Sequence, residues 1–359
     1  MKIILNFVSP IINPLEKKSR AVEKPARMGY SNPINCIEPV FAVGKAADRN
    51  PEGVMKVSLV IMAAGLGSRY GGSKQVDGIG PGGEILMEYS IHDALRAGFG
   101  KVVFIIKPEM EALVRRLCGD RLEGQAAGDG SPVEVAYAFQ DFSSLPAFYT
   151  PPPERTKPFG TVHALLCAAE AVREPCCVIN ADDYYGIDAY RTMYEELTGL
   201  PAAGKAAMVG YLLKNTASLH GTVSRGICTV EGGRLRSVRE TKKIQLYPDG
   251  TLRDLAADRP LDPESTVSMN CWGFMPSIFP VLENYFARFL RGEGGRDPRS
   301  ECLLPIMVDD LLRTGELEVS VLRSADKWFG MTYREDRETV AEELQRLHRA
   351  GVYPQSLRE

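Results

Sequence analysis

The chain has 359 residues, of which 44% are hydrophobic and 25% charged, and its formal net charge is −3. This length can bury one large core or two smaller ones. The charge balance excludes the basic excess of a dedicated nucleic-acid binder, and no apolar run approaches the ~20 residues that span a bilayer.

The N-terminal run MKIILNFVSPIINPL is broken by Asn6, Pro10 and Asn13, and no small-residue cleavage site follows, so a signal peptide is not expected. Eight cysteines form no CxxC pair, and none of the four histidines has zinc-site spacing to them. We read the thiols as reduced and mostly buried, and the protein as cytoplasmic. Residues 1–54 scatter Pro, Asn and charge without sustained periodicity and read as a disordered extension.

Strands and helices alternate from Met55 onward. Apolar runs predict strands at Val57–Met62, Val102–Ile106, Val133–Phe139, Cys176–Asn180 and Ala206–Leu213. Helical patterns lie between them at Ile85–Ala97, Met110–Leu117, Thr161–Val172 and Ala189–Leu197. The alternation predicts an α/β fold, a Rossmann-like and mostly parallel sheet flanked by helices. The segment Ser143–Lys157 contains Pro151-Pro-Pro and reads as a loop or lid.

The second half reads as a smaller β-rich part. Thr222–Val230 and Arg234–Val238 form a hairpin across Gly232-Gly233, and Thr266–Phe274 is a further strand. Helices at Ile278–Leu290 and Glu301–Leu312 precede a strand at Glu318–Leu322. A polar helix from Arg337 to Arg349 closes the chain. The expected division is an extension (1–54), one catalytic domain (55–337), and a C-terminal helix and tail (338–359).

The most informative stretch is Ala63-Ala-Gly-Leu-Gly-Ser-Arg69 with Lys74 shortly after it, directly behind the first strand. Gly65 and Gly67 allow backbone N–H groups to approach an anion, and Arg69 and Lys74 add two cations, which suits a triphosphate. Neither a dinucleotide fingerprint nor a Walker loop fits, because Tyr70 stands where a third glycine is needed and Gly72-Ser-Lys74 reverses the Walker order. The apolar strand Cys176-Cys-Val-Ile-Asn180 runs into Asp182-Asp183, and carboxylates at a strand end suit a magnesium ion.

Ala63-Ala-Gly-Leu-Gly-Ser-Arg69 followed by Lys74 resembles the signature of the sugar-phosphate nucleotidyltransferases, a GT-A-like family related to cytidylyltransferases and molybdenum-cofactor guanylyltransferases. The resemblance spans roughly residues 55–337. It implies that Ala63, Ala64, Gly65 and Gly67 cradle the nucleotide phosphates, with Arg69 and Lys74 catalytic. It further implies base recognition by Gln140, Gly160 and Thr161, and Mg²⁺ held by catalytic Asp182, with Asp183 beside it as a supporting group or helix cap. On the acceptor side it implies Glu240, Lys242 or Lys243, and Asn270. Trp272 and Phe274 read as core aromatics. Many relatives carry a second metal aspartate where this chain has Gly330, and Asp326 and Asp336 are the nearby substitutes.

The implied activity transfers a nucleotide from a nucleoside triphosphate to a phosphorylated small molecule, foremost a sugar 1-phosphate, releasing pyrophosphate. A cytidylyltransferase acting on a phospho-alcohol such as phosphocholine is the rival within the class. A catalytically inactive nucleotide-sugar-binding homologue is the rival outside it. No nucleic-acid or membrane partner is expected, and self-association is left open. His92, His163, His220 and His348 read as structural, since a phosphate nucleophile is already ionised and needs no general base.

Overall fold

A computed structural model describes residues 55–65, 78–128, 130–200, 203–330, 333 and 335–358. The expected extension at 1–54, and with it any boundary before Met55, lies outside the described residues, as do Gly67, Arg69 and Lys74.

Four expected apolar runs become β1 (Ser58–Met62), β2 (Lys101–Ile106), β3 (Glu134–Phe139) and β4 (Cys176–Asn180). All pair in parallel, in the order β4-β1-β2-β3. Strand β1 is buried from Ser58 through Ile61. A strand covered on both faces reads as a continuous apolar run rather than an alternating one, which is why this half was the easier to find.

The chain continues through β5 (Asp183–Tyr184), β6 (Lys205–Leu212), β7 (Val223–Glu231), β8 (Arg234–Leu246) and β9 (Leu252–Asp254). The last four strands are β10 (Arg259–Leu261), β11 (Thr266–Phe274), β12 (Glu318–Arg323) and β13 (Phe329–Gly330). Eleven of these strands make one sheet, in the order β10-β9-β8-β12-β6-β11-β4-β1-β2-β3, with β7 paired to β11 and β8. Strand β11 runs antiparallel to both β4 and β6 and so forms the seam between the parallel and antiparallel halves. The β-rich second half therefore extends the same sheet. The expected hairpin is β7–β8, but β8 runs on to Leu246.

The main helices are α1 (Leu86–Ala97), α2 (Thr161–Cys167), α3 (Ile187–Gly199), α4 (Ile278–Arg291), α5 (Leu304–Thr314) and α6 (Asp336–Arg349). Helix α2 stops short of the expected Val172. The expected helix at Met110–Leu117 is broken into a 3₁₀ turn at Pro108–Met110, an α turn at Glu111–Val114 and a π turn at Arg115–Gly119. In α4, Ile278, Leu282, Phe286 and Leu290 recur every four residues and are buried. That stripe faces one core layer with Phe159, Leu165 and Met307. Each such side chain contributes about 1.5–3 kcal/mol relative to exposure.

Helix α6 is polar overall, yet its Val340 and Leu344 are buried against Ile79, Leu86, Tyr89, Tyr184 and Tyr353. No helix among the described residues is long and apolar enough to cross a membrane. The described cysteines are free thiols, and all but Cys167 are buried.

Candidate active site

The carboxyl ends of the parallel strands share one edge, and pairing continues past each end. The Ala63 N–H donates to the Ile105 carbonyl (2.8 Å), Ala181 to Met62 (3.3 Å) and Gln140 to Ile106 (2.8 Å). Ala63 is buried, Ala64 half-buried and Gly65 exposed, so the chain climbs out of the sheet there. Open α/β sheets bind ligands beyond this edge.

The two adjacent aspartates differ in environment. Asp183 is buried, and its Oδ2 accepts from Asn180 Nδ2 at 2.8 Å and lies 3.2 Å from the Tyr185 hydroxyl. That hydroxyl accepts the Asn180 N–H and lies 2.9 Å from the Met269 carbonyl oxygen, tying the end of β4 to β11. Burial holds the Tyr185 phenol well above its usual pKa, so it stays protonated. Asp182 is half-buried at the open strand end.

Strand β13 pairs antiparallel with β5 and sets Gly330 opposite Asp183. A Cβ at position 330 would lie 2.6 Å from Asp183 Oδ1 and 2.8 Å from Trp328 Cζ2. The Asp183 carboxylate thus fills the space a side chain at 330 would need. Asp326 Oδ2 accepts the Asp188 N–H (2.7 Å) at the start of α3. Asp336 accepts from the Ser218 hydroxyl (2.9 Å) and the Tyr333 N–H (2.7 Å). Both acids are engaged at helix starts, and Asp326 takes the capping role that was one expectation for Asp183.

No group of three or more His, Cys, Asp or Glu that could hold a metal ion occurs among the described residues. Two adjacent carboxylates at a strand end, Asp182 half-buried and Asp183 buried, fit a hard cation that completes its shell with substrate phosphates and water, rather than one held in a protein cage.

On the other flank, Gln140 is buried and its Nε2 donates to the Gly160 carbonyl at 3.0 Å. Gly160 has φ +86°, and a Cβ there would lie 2.9 Å from the Cys302 carbonyl oxygen, so the turn requires glycine. The Thr161 hydroxyl accepts the Leu304 N–H (2.8 Å), while Cys302 N–H donates to the Phe159 carbonyl (2.7 Å). These bonds seat the start of α2 on the start of α5.

His163 lies in the first turn of α2. It is buried, stacks on Phe286 (5.1 Å between centroids) and reaches Ser144, Phe159 and Gln140. Burial pushes its pKa down to about 4, with Asp141 opposing the shift and Arg155 adding to it. Its place three residues after Gly160 was the available signal. The proline-bearing loop is pinned from within: the Arg155 guanidinium lies 3.7 Å from the Phe159 centroid and donates to the carbonyls of Lys157, Asp297 and Ser300.

On the acceptor side, the register of β11 against β6 shifts between Ser268 and Trp272. Asn270 occupies that irregularity with φ +59°, and its Oδ1 accepts from Trp272 Nε1 at 3.2 Å. Because Trp272 is the register partner of Val178, the irregularity lies beside the end of β4. Trp272 and Phe274 are fully buried, as expected of core aromatics. Gly226 of β7 is the register partner of both Ser268 and Glu240, which sets Glu240 on β8, two strands from β11 across β7. Strand alternation puts Glu240 and Lys242 on the face opposite buried Thr241, while Lys243 turns off with φ +57°. Burial raises the Glu240 carboxyl pKa, with Lys242 and Arg225 opposing.

The structure is similar to that of a protein described as a glucose-1-phosphate thymidylyltransferase from Bacillus anthracis in complex with sucrose, at 14% identity and TM-score 0.54, covering 84% of this chain and 98% of that one. It is also similar to the inositol-1-phosphate CTP transferase from T. maritima, at 12% identity and TM-score 0.52, covering 82% and 97%. A third similar structure is a UDP-glucose pyrophosphorylase complexed with UDP-glucose, at 14% identity and TM-score 0.53, covering 81% and 99%. At these identities the likeness is one of fold. No curated protein sequence matches significantly. The profile of the nucleotidyl transferase family matches residues 59–244, more than half of the chain and the span that carries Ala63, Gln140, Gly160, Asp182 and Glu240, so the chain belongs to that family and is a nucleotidyltransferase.

Proposed function

We propose that this nucleotidyltransferase transfers a nucleotide from a nucleoside triphosphate to a sugar 1-phosphate. The observation that carries this reading is the single edge on which Ala63–Gly65, Gln140 with Gly160, Asp182 and the Asn270 irregularity lie together. It has the parts needed for a base, a phosphate chain, a cation and an acceptor. The names of the similar structures, one with glucose 1-phosphate and one with UDP-glucose in it, support the acceptor class.

In this reading a phosphate oxygen of the acceptor attacks the α-phosphorus in line. The bond from the α-phosphorus to the bridging oxygen breaks, and pyrophosphate leaves with that electron pair. The nucleophile is already an anion, so no residue has to remove a proton. Lys74 neutralises the α-phosphate and Arg69 the departing groups, and positioning with charge neutralisation supplies the catalysis. Gln140 and Gly160 hold the base. Asp182 would hold Mg²⁺, which when bound supplies charge stabilisation on phosphate oxygens. Asp183 holds Asn180 and Tyr185 in place beneath it. Asn270 and Glu240 take sugar hydroxyls, and Lys242 or Lys243 takes the acceptor phosphate.

The test is pyrophosphate release across five nucleoside triphosphates, paired with sugar 1-phosphates, inositol 1-phosphate and phosphocholine, with and without Mg²⁺. Turnover that requires a sugar 1-phosphate supports the proposal. Turnover only with inositol phosphate or phosphocholine moves the acceptor to a phospho-alcohol. Tight triphosphate binding with no turnover on any pair identifies an inactive binding homologue.

A further inference from the structure

The similar structures differ in nucleotide by name, one thymidylyl, one cytidylyl and one uridylyl, so fold alone leaves the base undecided. The hydrogen bonds around Gln140 bear on that choice. The Phe159 backbone N–H, which can only donate, points at His163 Nδ1 at 3.5 Å. Nδ1 must therefore carry the lone pair, and the ring proton must sit on Nε2. The other side of the ring agrees. The Ser144 hydroxyl gives its one proton to the Asp141 carbonyl at 2.8 Å, so its oxygen is left to accept from His163 Nε2 at 2.9 Å. The Cys167 thiol also donates to that oxygen, at 3.4 Å.

Gln140 then faces two fixed acceptors. The Gly160 carbonyl lies 3.0 Å from its Nε2, and His163 Nδ1 lies 3.5 Å from the same atom. Rotating the amide by half a turn would set Oε1 against both lone pairs. The amide is held in one orientation, with both N–H groups turned inward and Oε1 turned away, making no hydrogen bond to any described residue. A glutamine that is free to rotate can match either pattern of a pyrimidine edge, but a locked one presents only an acceptor. Uracil and thymine carry an N–H at ring position 3, where cytosine carries a bare lone pair and sets its edge donor, the amino group, at position 4 instead, so the choice is made at position 3.

Resting on the proposed base site, we infer that His163 is a positioning residue, oriented by Ser144, that locks Gln140 as an acceptor and so selects uridine or thymidine triphosphate over cytidine triphosphate. A site that must hydrogen-bond its substrate rejects an analogue lacking the matching group, because the buried partner is left unpaired.

Three variants test this alongside the wild type. His163→Phe keeps the stack on Phe286 and removes both ring nitrogens. His163→Asn can return an acceptor oxygen near the Nδ1 position. Ser144→Ala alters an exposed side chain and serves if His163→Phe fails to fold. Steady-state kinetics with UTP, dTTP and CTP should give the wild type a preference of about tenfold or more in kcat/KM for UTP or dTTP. In His163→Phe the preference should shrink to about threefold or less, through KM for the triphosphate rather than kcat, and His163→Asn should restore much of it. Ser144→Ala should shrink it in the same direction.

Nitrogen-15 NMR of the wild-type histidines gives a readout apart from activity, and His163 should report the Nε2–H tautomer. An Nδ1–H tautomer, a wild-type preference for CTP, or unchanged discrimination in both His163→Phe and Ser144→Ala overturns the inference while the transferase reading stands. No turnover or binding of any triphosphate removes the reading it rests on, and the inference with it.

Discussion

Gly330 gives the sharpest test of how the metal-side edge is packed. In Gly330→Ala the new methyl would start 2.6 Å from Asp183 Oδ1 and 2.8 Å from the Trp328 ring, both well inside van der Waals contact. The carboxylate can swing away only by giving up its bonds to Asn180 at 2.8 Å and to Tyr185 at 3.2 Å. Overpacking of this kind costs about 1–3 kcal/mol. Alanine returns about 0.4–1 kcal/mol by restricting the unfolded chain. The net loss spans roughly 0–2.6 kcal/mol and centres near 1.3 kcal/mol, or about 3–5 °C in melting temperature at about 2–4 °C per kcal/mol. Thermal melting followed by circular dichroism measures it. The cycle is completed with Asp183→Ala, which removes the carboxylate that the methyl would strike. The double variant should recover about 1 kcal/mol relative to additivity, as expected of residues in contact. A Gly330→Ala protein that melts within about a degree of wild type, with additive effects in the cycle, would refute the shared-space argument.

Asp182→Asn should leave the melting temperature near wild type and abolish turnover at ordinary Mg²⁺, with partial recovery as Mg²⁺ is raised. Asp183→Asn should instead lower stability by about 1–3 kcal/mol, since a buried acceptor of two hydrogen bonds is altered; a greater Mg²⁺ requirement in Asp183→Asn than in Asp182→Asn would reverse the assignment by one residue. Leu344→Ala, in a fully buried position of α6, should cost about 2–5 kcal/mol, and a negligible melting shift would show that the C-terminal helix is dispensable to the core. His163 has a folded pKa of about 4, below the ordinary ~6.5, so the unfolded chain binds its proton first as pH falls. Stability from this residue is complete above pH ~6.5 and is lost between there and pH ~4, by about 3 kcal/mol in all. Denaturant titrations across that window should slope downward toward acid in wild type and more gently in His163→Phe, and equal slopes would count against a buried neutral ring.

The parallel half of the sheet was legible because its strands are local features. Each is a short apolar run with a helix on either side, and the runs from Val57 to Asn180 fall within a residue or so of the observed strands. The short pair β5–β13 was not legible, because it joins Tyr184 to Phe329 across 144 intervening positions and neither strand is long enough to show a period. The same holds for β9 and β10, three residues each. The broken helix after Pro108 looked continuous in sequence because a π turn keeps apolar residues near helical spacing. Helix α6 looked like a tail because its composition is polar, and only Val340 and Leu344 reveal the face that packs.

The site was legible where residue type restricts chemistry, and obscure where a partner decides it. Gln140 and Gly160 were paired by what the family resemblance implies, and a bond of 3.0 Å joins them. The place of His163 three residues after Gly160 is only a weak mark, because its contacts are an N–H from Phe159 and a hydroxyl from a loop residue, Ser144. The aspartates follow the same rule. Asp326 and Asp336 carry the same side chain as Asp182, and the family resemblance offered them as replacements for the carboxylate missing at Gly330. Their oxygens accept hydrogen bonds at helix starts, where an anion is stabilised by backbone donors and the helix dipole. Recruiting Asp326 to a cation would strip the start of α3 of its partner, and recruiting Asp336 would release the Ser218 hydroxyl and the Tyr333 N–H. The cheaper arrangement for this chain is the one β5 and β13 already make, in which Asp183 occupies the room beside Gly330 and Asp182 stays half-buried at the end of β4.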